Sequence, residues 1–325
     1  MSLTNFPNGV SSFGIPIIGG IAGIPFTGNY YFVNYANGAD GNEGSPSNPM
    51  KTISGAYARC TAGNNDVIVI IGDGSTAATQ RVDEAFTWAK NATHLVGITA
   101  PTGVAQRARI APTSTTTAFA NFITVSASGC YFANFSLFDG FDTGTTSQIC
   151  WTDTGSRNCY ENVAFGGMGD TASAQSTGSR SLKLSGSEST FRGCTFGLDT
   201  VTRTVANATV ELAGACARNT FDRCTFPVQT SSATSVVVLA TGAAAIDRWT
   251  IFRDCVFVNS VKSTSTAMTG VAKLTSASAG GLLLFKNCTA VGIASFGYDA
   301  TSVGQIYVDG AVPTGATTGI AVAAA

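Results

Sequence analysis

The chain has 325 residues with 18 basic and 19 acidic side chains, so its formal net charge of −1 excludes the basic footprint of a nucleic-acid-binding or membrane-surface protein. Only 11% of residues are charged, far below the roughly 25% of ordinary soluble domains. The single histidine, His94, and nine cysteines without a CxxC pair argue against histidine metal sites, catalytic triads and a disulfide framework. We therefore expect a β-rich protein with reduced thiols and no cofactor, nucleic-acid partner or membrane partner.

Residues 1–29 are rich in Gly, Pro and Ile and show neither helical nor strand periodicity. They lack the basic region of a signal peptide, so we predict synthesis in a reducing cytoplasm without export. Exposing so many apolar side chains to water is costly, which favours an extended arm on a partner over a disordered tail. The predicted partner-binding residues of this arm are Ile15, Ile17, Ile18, Ile21, Ile24 and Phe26.

Residues 30–74 form a predicted cap module. It consists of a strand at 30–35, a polar loop at 37–49, a helical pattern at 50–60 and a buried strand within 64–74. In the loop, Asp40, Asn42 and Glu43 cluster oxygen ligands, which is compatible with calcium. Because the complete EF-hand spacing is absent, we favour a glycine-rich turn held by Asx hydrogen bonds.

From about residue 120 the chain is a repeat. The hexapeptides begin at Phe132, Tyr160, Phe191, Phe221, Phe252 and Phe285, which are 28 to 33 residues apart. Each copy follows another short apolar strand, with Ser-, Thr-, Ala- and Gly-rich connections between them. Such a period, with several short strands in each copy, predicts the coils of a parallel β-helix.

The F-x-x-C-x-F pattern breaks the alternation of a straight strand, because its two aromatic residues are five positions apart. A corner at the third position restores the phase and turns both aromatic residues and the cysteine inward. The predicted corner residues are Asn134, Asn162, Gly193, Arg223, Asp254 and Asn287. Five of these six are types that tolerate a left-handed backbone, and Arg223 is the exception.

Stacking of coils about 4.8 Å apart would convert the hexapeptides into columns. The predicted structural ladder consists of an aromatic column and a cysteine column: Phe191, Phe221, Phe252 and Phe285, and Cys194, Cys224, Cys255 and Cys288. The cysteines lack the close-spaced pairs of zinc sites, so we interpret them as core residues. Outside the core, Arg192, Asp222 and Arg253 are expected to form an ion-pair ladder across neighbouring strands.

At residues 30–298 the chain resembles the right-handed parallel β-helices of the pectate-lyase-like superfamily. The stretch YFVNYANGADGNEGSPSNPMKTISGAYARC is similar to the entry module of that family, and NNDVIVIIGDG to its first coil. The resemblance implies an all-β, single-stranded right-handed parallel β-helix with an N-terminal capping helix, flanked by extended terminal arms. This fold hosts many functions, so the resemblance alone does not specify the chemistry.

The two ends resemble those of small virion structural proteins of tailed phages, through NFPNGVSSFGIP and the 299–325 tail that contains IYVDGAVPTGATTGIAVAAA. That resemblance implies a capsid decoration protein or head spike, located in the virion after assembly in the host cytoplasm. The predicted partners are the major capsid protein or other virion proteins. By analogy with related virion β-helices, we expect a homo-oligomer, a trimer.

Acidic residues are sparse in the repeat. Stacking could bring Asp222 and Asp254 within about one coil of each other, but Asp254 sits at a corner and Asp222 is flanked by arginines in the neighbouring coils. Carbohydrate-cleaving β-helices need clustered carboxylates. We therefore predict a non-enzymatic structural component of a phage particle. The alternative is a phage tailspike that binds or depolymerises a surface polysaccharide, and a cell-surface adhesin is a third hypothesis.

Overall fold

The computed structural model describes residues 11–12, 15–16, 27–113, 119–140, 147–260, 265–276, 280–303 and 305–309. It confirms an all-β, right-handed parallel β-helix in which three parallel sheets run along the rod. The predicted arm residues Ile17, Ile18, Ile21, Ile24 and Phe26, and the side chain of Ile15, lie outside this description.

A complete coil places one strand in each sheet, and each strand inside a sheet pairs with the equivalent strands of the coils before and after it. The first sheet has ten strands and the other two have eight. The first sheet contains β3 (Tyr30–Val33), β4 (Asp66–Ile71), β7 (Thr93–Ile98), β10 (Tyr131–Ala133), β13 (Cys159–Glu161), β16 (Thr190–Arg192), β19 (Asn219–Asp222), β22 (Trp249–Arg253), β25 (Leu282–Lys286) and β28 (Ile306–Val308). The second contains β5 (Gln80–Val82), β8 (Arg109–Pro112), β11 (Ser136–Phe138), β14 (Ala164–Gly166), β17 (Thr195–Phe196), β20 (Thr225–Val228), β23 (Val256–Asn259) and β26 (Thr289–Val291). The third contains β6 (Phe86–Trp88), β9 (Asn121–Val125), β12 (Ile149–Asp153), β15 (Arg180–Leu184), β18 (Ala208–Ala213), β21 (Val236–Thr241), β24 (Met268–Leu274) and β27 (Ile293–Gly297).

Outside the three sheets, β1 (Ser11–Ser12) pairs antiparallel with β2 (Ile15–Pro16). The helices are α1 (Ile53–Arg59), α2 (Thr171–Ala174) and α3 (Ala300–Val303). None of the helices within the described ranges has the length and apolar character needed to cross a membrane. Strand β28 extends the first sheet beyond residue 298, the position where the sequence predicts the β-helix to end.

Helix α1 covers the amino-terminal end of the core. The Thr52 side chain caps it by accepting a hydrogen bond from the backbone N–H of Gly55, and the helix buries its own Ile53 and Ala56. Asp40 secures the entry to this helix, because its Oδ1 accepts from the backbone N–H groups of Lys51 and Thr52 at 3.1 and 2.8 Å. Such a cap hides the strand edge that the first coil would otherwise expose.

All six predicted corner residues, from Asn134 to Asn287, have φ between 50° and 57°. Arg223 is among them with a φ of 52°, although arginine has no special tolerance for this region. Corner amides also bond from coil to coil: Asn162 Nδ2 donates to Asn134 Oδ1 at 2.8 Å, and Asn287 Nδ2 to Asp254 Oδ1 at 2.6 Å. The corner between the first and second sheets is therefore a repeated left-handed turn.

Two columns of aromatic rings fill the interior. Stacked rings in the first column have centroids 4.6 to 5.0 Å apart, and it consists of Phe132, Tyr160, Phe191, Phe221, Phe252 and Phe285. The second column consists of Phe165, Phe196, Phe226 and Phe257, with centroids 4.7 to 5.1 Å apart. Rings of the two columns also meet edge to face, so the two columns form one continuous aromatic stack within the core.

Beside the rings, the cysteine thiols donate to backbone carbonyls of the preceding coil. Cys224 Sγ donates to Phe191 O at 3.5 Å, and Cys255 Sγ donates to Phe221 O at 3.4 Å. Burial raises the pKa of the Cys224 thiol well above its usual range. These side chains fill space beside the rings, and the Cys224 thiol stays protonated, which is the behaviour of a core residue.

The segment 99–108, between β7 and β8, leaves its own coil and lies along the corner of later coils. Gln106 Nε2 donates to Asn162 O at 2.8 Å, and Thr195 Oγ1 donates to Gly103 O at 2.6 Å. Thr195 belongs to a coil three repeats further along the rod. We call this segment the strut.

Candidate functional site

The outer face of the first sheet changes character along the rod. At its amino-terminal strands this face is apolar and buried, with Val67, Val69, Val96, Tyr131 and Ala133 in one cluster. From β13 onward, the same row of outward positions carries charges. We call these five residues the charged strip: Glu161, Arg192, Asp222, Arg253 and Lys286, which are direct neighbours in the strand register.

Asp222 is the most constrained residue of the charged strip. Its side chain is 10% exposed, and it pairs with Arg253 at 2.7 Å and with Arg223 at 3.2 Å. Burial alone would raise the pKa of Asp222, but the hydrogen bonds and charges of the two guanidinium groups outweigh it and hold the pKa below its usual value. Asp222 is therefore an ionised carboxylate at neutral pH.

Arg192 lies between the two carboxylates of the strip. The register places Glu161 on one side of it and Asp222 on the other. Nevertheless, Arg192 forms no ion pair with any residue that the structure describes, because Asp222 turns to Arg253. Of the expected ladder of Arg192, Asp222 and Arg253, only the pair of Asp222 with Arg253 therefore forms. The exposed guanidinium of Arg192 is available to a ligand.

Glu161 has a different environment. Its Oε2 accepts a hydrogen bond from the Tyr131 hydroxyl at 3.0 Å. Burial, followed by the Glu161 charge, raises the pKa of Tyr131, so the phenol stays protonated and keeps donating to the carboxylate. Because Glu161 and Asp222 are two strands apart, their Cα atoms are about 9.6 Å from each other.

A second ionic ladder borders the first sheet at the turn that precedes its strands. Glu188 pairs with Arg157 at 2.8 Å and with Arg218 at 3.0 Å. The sequence analysis missed this ladder, although its members recur at the repeat period. It also missed the relation of Glu161 to Asp222, for which the signal was their shared place directly after an inward aromatic, Tyr160 or Phe221.

The other carboxylate considered from the sequence, Asp254, does not join the charged strip. It occupies a corner with a φ of 53°, and its Oδ1 accepts from Asn287 Nδ2. Asp222 and Asp254 therefore have different bonding partners: Asp222 pairs with two arginines, and Asp254 accepts from Asn287.

The loop that contains Asp40, Asn42 and Glu43 is a hydrogen-bonded turn, as favoured from the sequence. Asp40 binds the entry of α1, Glu43 accepts from Ser45 and Asn48, and Asn42 Nδ2 donates to Pro49 O. No group of three or more potential metal-ligating side chains occurs among the residues that the structure describes. Each side chain of this loop thus has a structural role.

His94 is buried at 3% exposure, in β7. Its Nδ1 accepts a hydrogen bond from the backbone N–H of Tyr131 at 3.0 Å. Burial lowers the pKa of His94 to about 4, so the ring is neutral at physiological pH.

Comparison with known proteins finds similarity at the level of the fold. No family model and no curated protein matches the chain. Among solved structures, it is similar to the pectin methylesterase PemA from Erwinia chrysanthemi, with 17% identity, a TM-score of 0.55, and 87% of this chain and 90% of that chain covered. A pectin methylesterase in complex with hexasaccharide VII matches with 17% identity and a TM-score of 0.54, over 89% of this chain and 90% of that chain.

These similarities establish the fold and correct one prediction. The prediction of a non-enzymatic protein is wrong, because the solved chains that share this fold over nine-tenths of their length are named as enzymes that act on pectin. Sparse acidic residues were a poor reason to exclude enzymes, since a single pair of carboxylates suffices for such chemistry. The capsid partner, the trimer and the virion location stay predictions.

Proposed function

We propose that this protein binds an acidic polysaccharide along the outer face of its first sheet and acts on it at the charged strip. The observation that carries the proposal is Arg192, an exposed guanidinium without an ion pair among the described residues, held between the carboxylates of Glu161 and Asp222. A guanidinium recognises a carboxylate in bidentate fashion, which suits a uronate sugar.

The charge balance of this face supports an anionic ligand. The charged strip, the bordering ladder and two corner residues together contain six basic and four acidic side chains: Arg157, Arg192, Arg218, Arg223, Arg253 and Lys286, with Glu161, Glu188, Asp222 and Asp254. This local excess of positive charge contrasts with the formal net charge of −1 of the whole chain. It favours association with a polyanion at low ionic strength.

The carboxylates supply the reactive groups. Asp222 stays ionised, as a nucleophile or a general base must, and its two arginine partners fix its orientation. Glu161 stands on the other side of Arg192, two strands from Asp222, so a sugar carboxylate bound to Arg192 would lie between the two carboxylates of the strip. The solved structures with this fold that are named pectin methylesterases support a uronate-containing substrate.

The test is to incubate the full chain with polygalacturonate, methyl-esterified pectin and a neutral glucan. Binding is measured by titration calorimetry at low and high salt. Turnover is followed as methanol, reducing ends and unsaturated uronate, which distinguish ester hydrolysis, glycosidic hydrolysis and elimination. We expect salt-sensitive binding of the acidic polymers only, and one of the three products.

Matched variants locate the site. R192Q should weaken binding of the acidic polymer about tenfold, equivalent to roughly 1.4 kcal/mol. R218Q, which removes the same charge from the bordering ladder, should weaken it far less. D222N should abolish turnover while the chain still binds. Equal losses in R192Q and R218Q, or no binding of any acidic polymer at low salt, would refute the proposal.

The alternative predicted from the sequence, a tailspike that binds or depolymerises a surface polysaccharide, is consistent with this chemistry. The location on a phage particle remains part of the proposal, as does a capsid or other virion partner. Imaging of purified phage particles that carry labelled copies of this chain tests both the location and the partner.

A further inference from the structure

A cavity of about 160 Å³ lies at the amino-terminal end of the core, away from the charged strip. Its deep wall consists of inward side chains from the first three coils, and its rim is formed by the start of α1 and the segment between β5 and β6. The lining residues that matter here are Trp88, Leu95, Ile110, Ile123 and Trp151 in the wall, and Asp83 and Glu84 at the rim.

The cavity exists because the aromatic column ends before the rod does. In the strand register, Phe132 is preceded by Leu95 and then by Ile68, so the ring column stops at Phe132. The second column behaves alike, since Phe165 is preceded by Leu137 and then by Ile110. Aliphatic side chains therefore stand where later coils carry rings, and the interior is underfilled beneath α1.

The five wall residues offer no free hydrogen-bonding group to an occupant. Gln80 also lines the cavity, but it is buried and its amide donates to Lys51 O and accepts from the backbone N–H of Tyr35. Trp88 Nε1 donates to Thr93 O at 3.3 Å, and Trp151 Nε1 donates to the Tyr160 hydroxyl at 3.2 Å. Both indoles are almost fully buried, at 1% and 0% exposure, and contribute only their rings. An apolar cavity of about 150 Å³ stays dry and accepts a benzene-sized molecule. The indole rings of Trp88 and Trp151 also favour an aromatic occupant, because they can contact its ring edge to face or by stacking.

The rim opens to solvent through exposed residues of the segment between β5 and β6. Asp83 and Glu84 are exposed there, and neither forms an ion pair with a residue that the structure describes. The one basic residue of the rim, Arg81, uses its Nη1 to donate to Pro112 O at 3.0 Å. The rim therefore disfavours an anionic substituent on the occupant.

We propose that this cavity is a binding site for a small molecule with a single aromatic ring and a neutral or cationic substituent. The ring occupies the space between Trp88, Leu95 and Trp151, in continuation of the Phe132 column, and the substituent lies at the rim near Asp83 and Glu84. The site is independent of the polysaccharide face, so either proposal can fail without the other.

The test uses toluene, benzylamine and benzoate as probes of the full chain. Two of the three tryptophans line the cavity, so tryptophan fluorescence reports occupancy, with thermal unfolding as a second measurement. We expect saturable binding of toluene and benzylamine, a rise in the unfolding temperature with each, and affinity for benzoate at least about tenfold weaker.

Leu95→Phe extends the aromatic column into the cavity and should abolish binding while raising the unfolding temperature of the free protein. If that variant folds poorly, Ile110→Phe fills the same space from the second sheet. Leu283→Phe is the control, because Leu283 is fully buried at the far end of the rod. Unchanged binding in both filling variants, tighter binding of benzoate than of benzylamine, or no saturable binding would overturn the proposal.

Discussion

The hydroxyl of Tyr160 donates a 2.8 Å hydrogen bond to Oδ2 of Asp153 inside the β-helix, where the carboxyl group has no exposure to solvent. Asn158 Nδ2 and the backbone N–H of Gly155 also donate to Asp153 Oδ1, at 3.2 and 2.9 Å. Burial raises the pKa of Asp153 from 3.8 to about 7, and these hydrogen bonds offset only part of that rise.

This carboxyl group should make the protein lose stability as the pH rises. The folded state holds the Asp153 proton up to about pH 7, whereas the unfolded chain releases it near pH 3.8. The contribution of Asp153 to the free energy of unfolding should therefore fall across that window by roughly 1.4 kcal/mol per pH unit, and level off above it. Urea unfolding at several pH values measures the slope.

The matched variant is Asp153→Asn, which lacks this contribution, so the free energy of unfolding of the wild type relative to the variant should fall by that amount per pH unit across the window. His94 contributes with the opposite sign, because its lowered pKa of about 4 removes stability as the pH falls below 6.5. Wild type and variant must therefore be compared at each pH. An identical pH dependence in the two proteins would contradict the assignment.

Glu211 and Glu188 should differ sharply in their contribution to stability. Glu211 pairs with Arg180 at 2.9 Å, with side-chain exposures of 12% and 6%, whereas Glu188 pairs with arginines that are 71% and 49% exposed. Glu211→Gln leaves a buried guanidinium without its counter-charge and should cost about 3 kcal/mol of unfolding free energy. Glu188→Gln should cost less than about 1 kcal/mol. Equal losses of unfolding free energy in the two variants would show that burial does not determine how much these ion pairs stabilise the fold.

Arg223 carries a backbone penalty that another residue type can remove. A left-handed φ costs a residue such as arginine roughly 1 kcal/mol, and the exposed Arg223–Asp222 pair returns only part of that. Arg223→Asn should therefore raise the free energy of unfolding by about 0.5 kcal/mol in denaturant titrations. Arg192→Asn, in an extended strand, is the control and should give no gain; a loss of stability in Arg223→Asn would contradict the strain argument.

The buried cysteines of the column should be chemically silent in the folded protein, whereas Cys288 at its end is only half-buried. Cys194, Cys224 and Cys255 are buried, and burial raises the pKa of Cys224 well above its usual range. We expect these thiols to react with an aromatic disulfide reagent only after denaturation, and Cys224→Ala to cost about 1–2 kcal/mol of unfolding free energy. Rapid labelling of Cys224 in the native state, identified by mass spectrometry, would disprove its assignment to the core.

The sequence predicted the coils because their signal is local and repeated. The broken alternation of F-x-x-C-x-F placed left-handed corners at six positions, and the structure has them even at Arg223. At Arg223 the backbone preference of the residue type was a poorer predictor than the repeat, because hydrogen bonds from coil to coil outweigh a penalty of about 1 kcal/mol.

The sites were harder to predict because they depend on which residues become neighbours between coils. Glu161 and Asp222 lie on one strip only after strands from three successive coils have been aligned. The cavity depends on a difference in size between Leu95 and Phe132, in a part of the chain without the hexapeptide. Sequence periodicity carries neither kind of information.

The strut has a consequence for how the rod unfolds. In most repeat proteins each unit contacts only its neighbours, so the ends can fray one coil at a time. Here the Thr195 hydroxyl holds Gly103, 92 residues earlier in the chain, and Gln106 reaches Asn162 between them. The strut spans four coils, so releasing one of them strains the others, and this end of the rod should open as a single cooperative block.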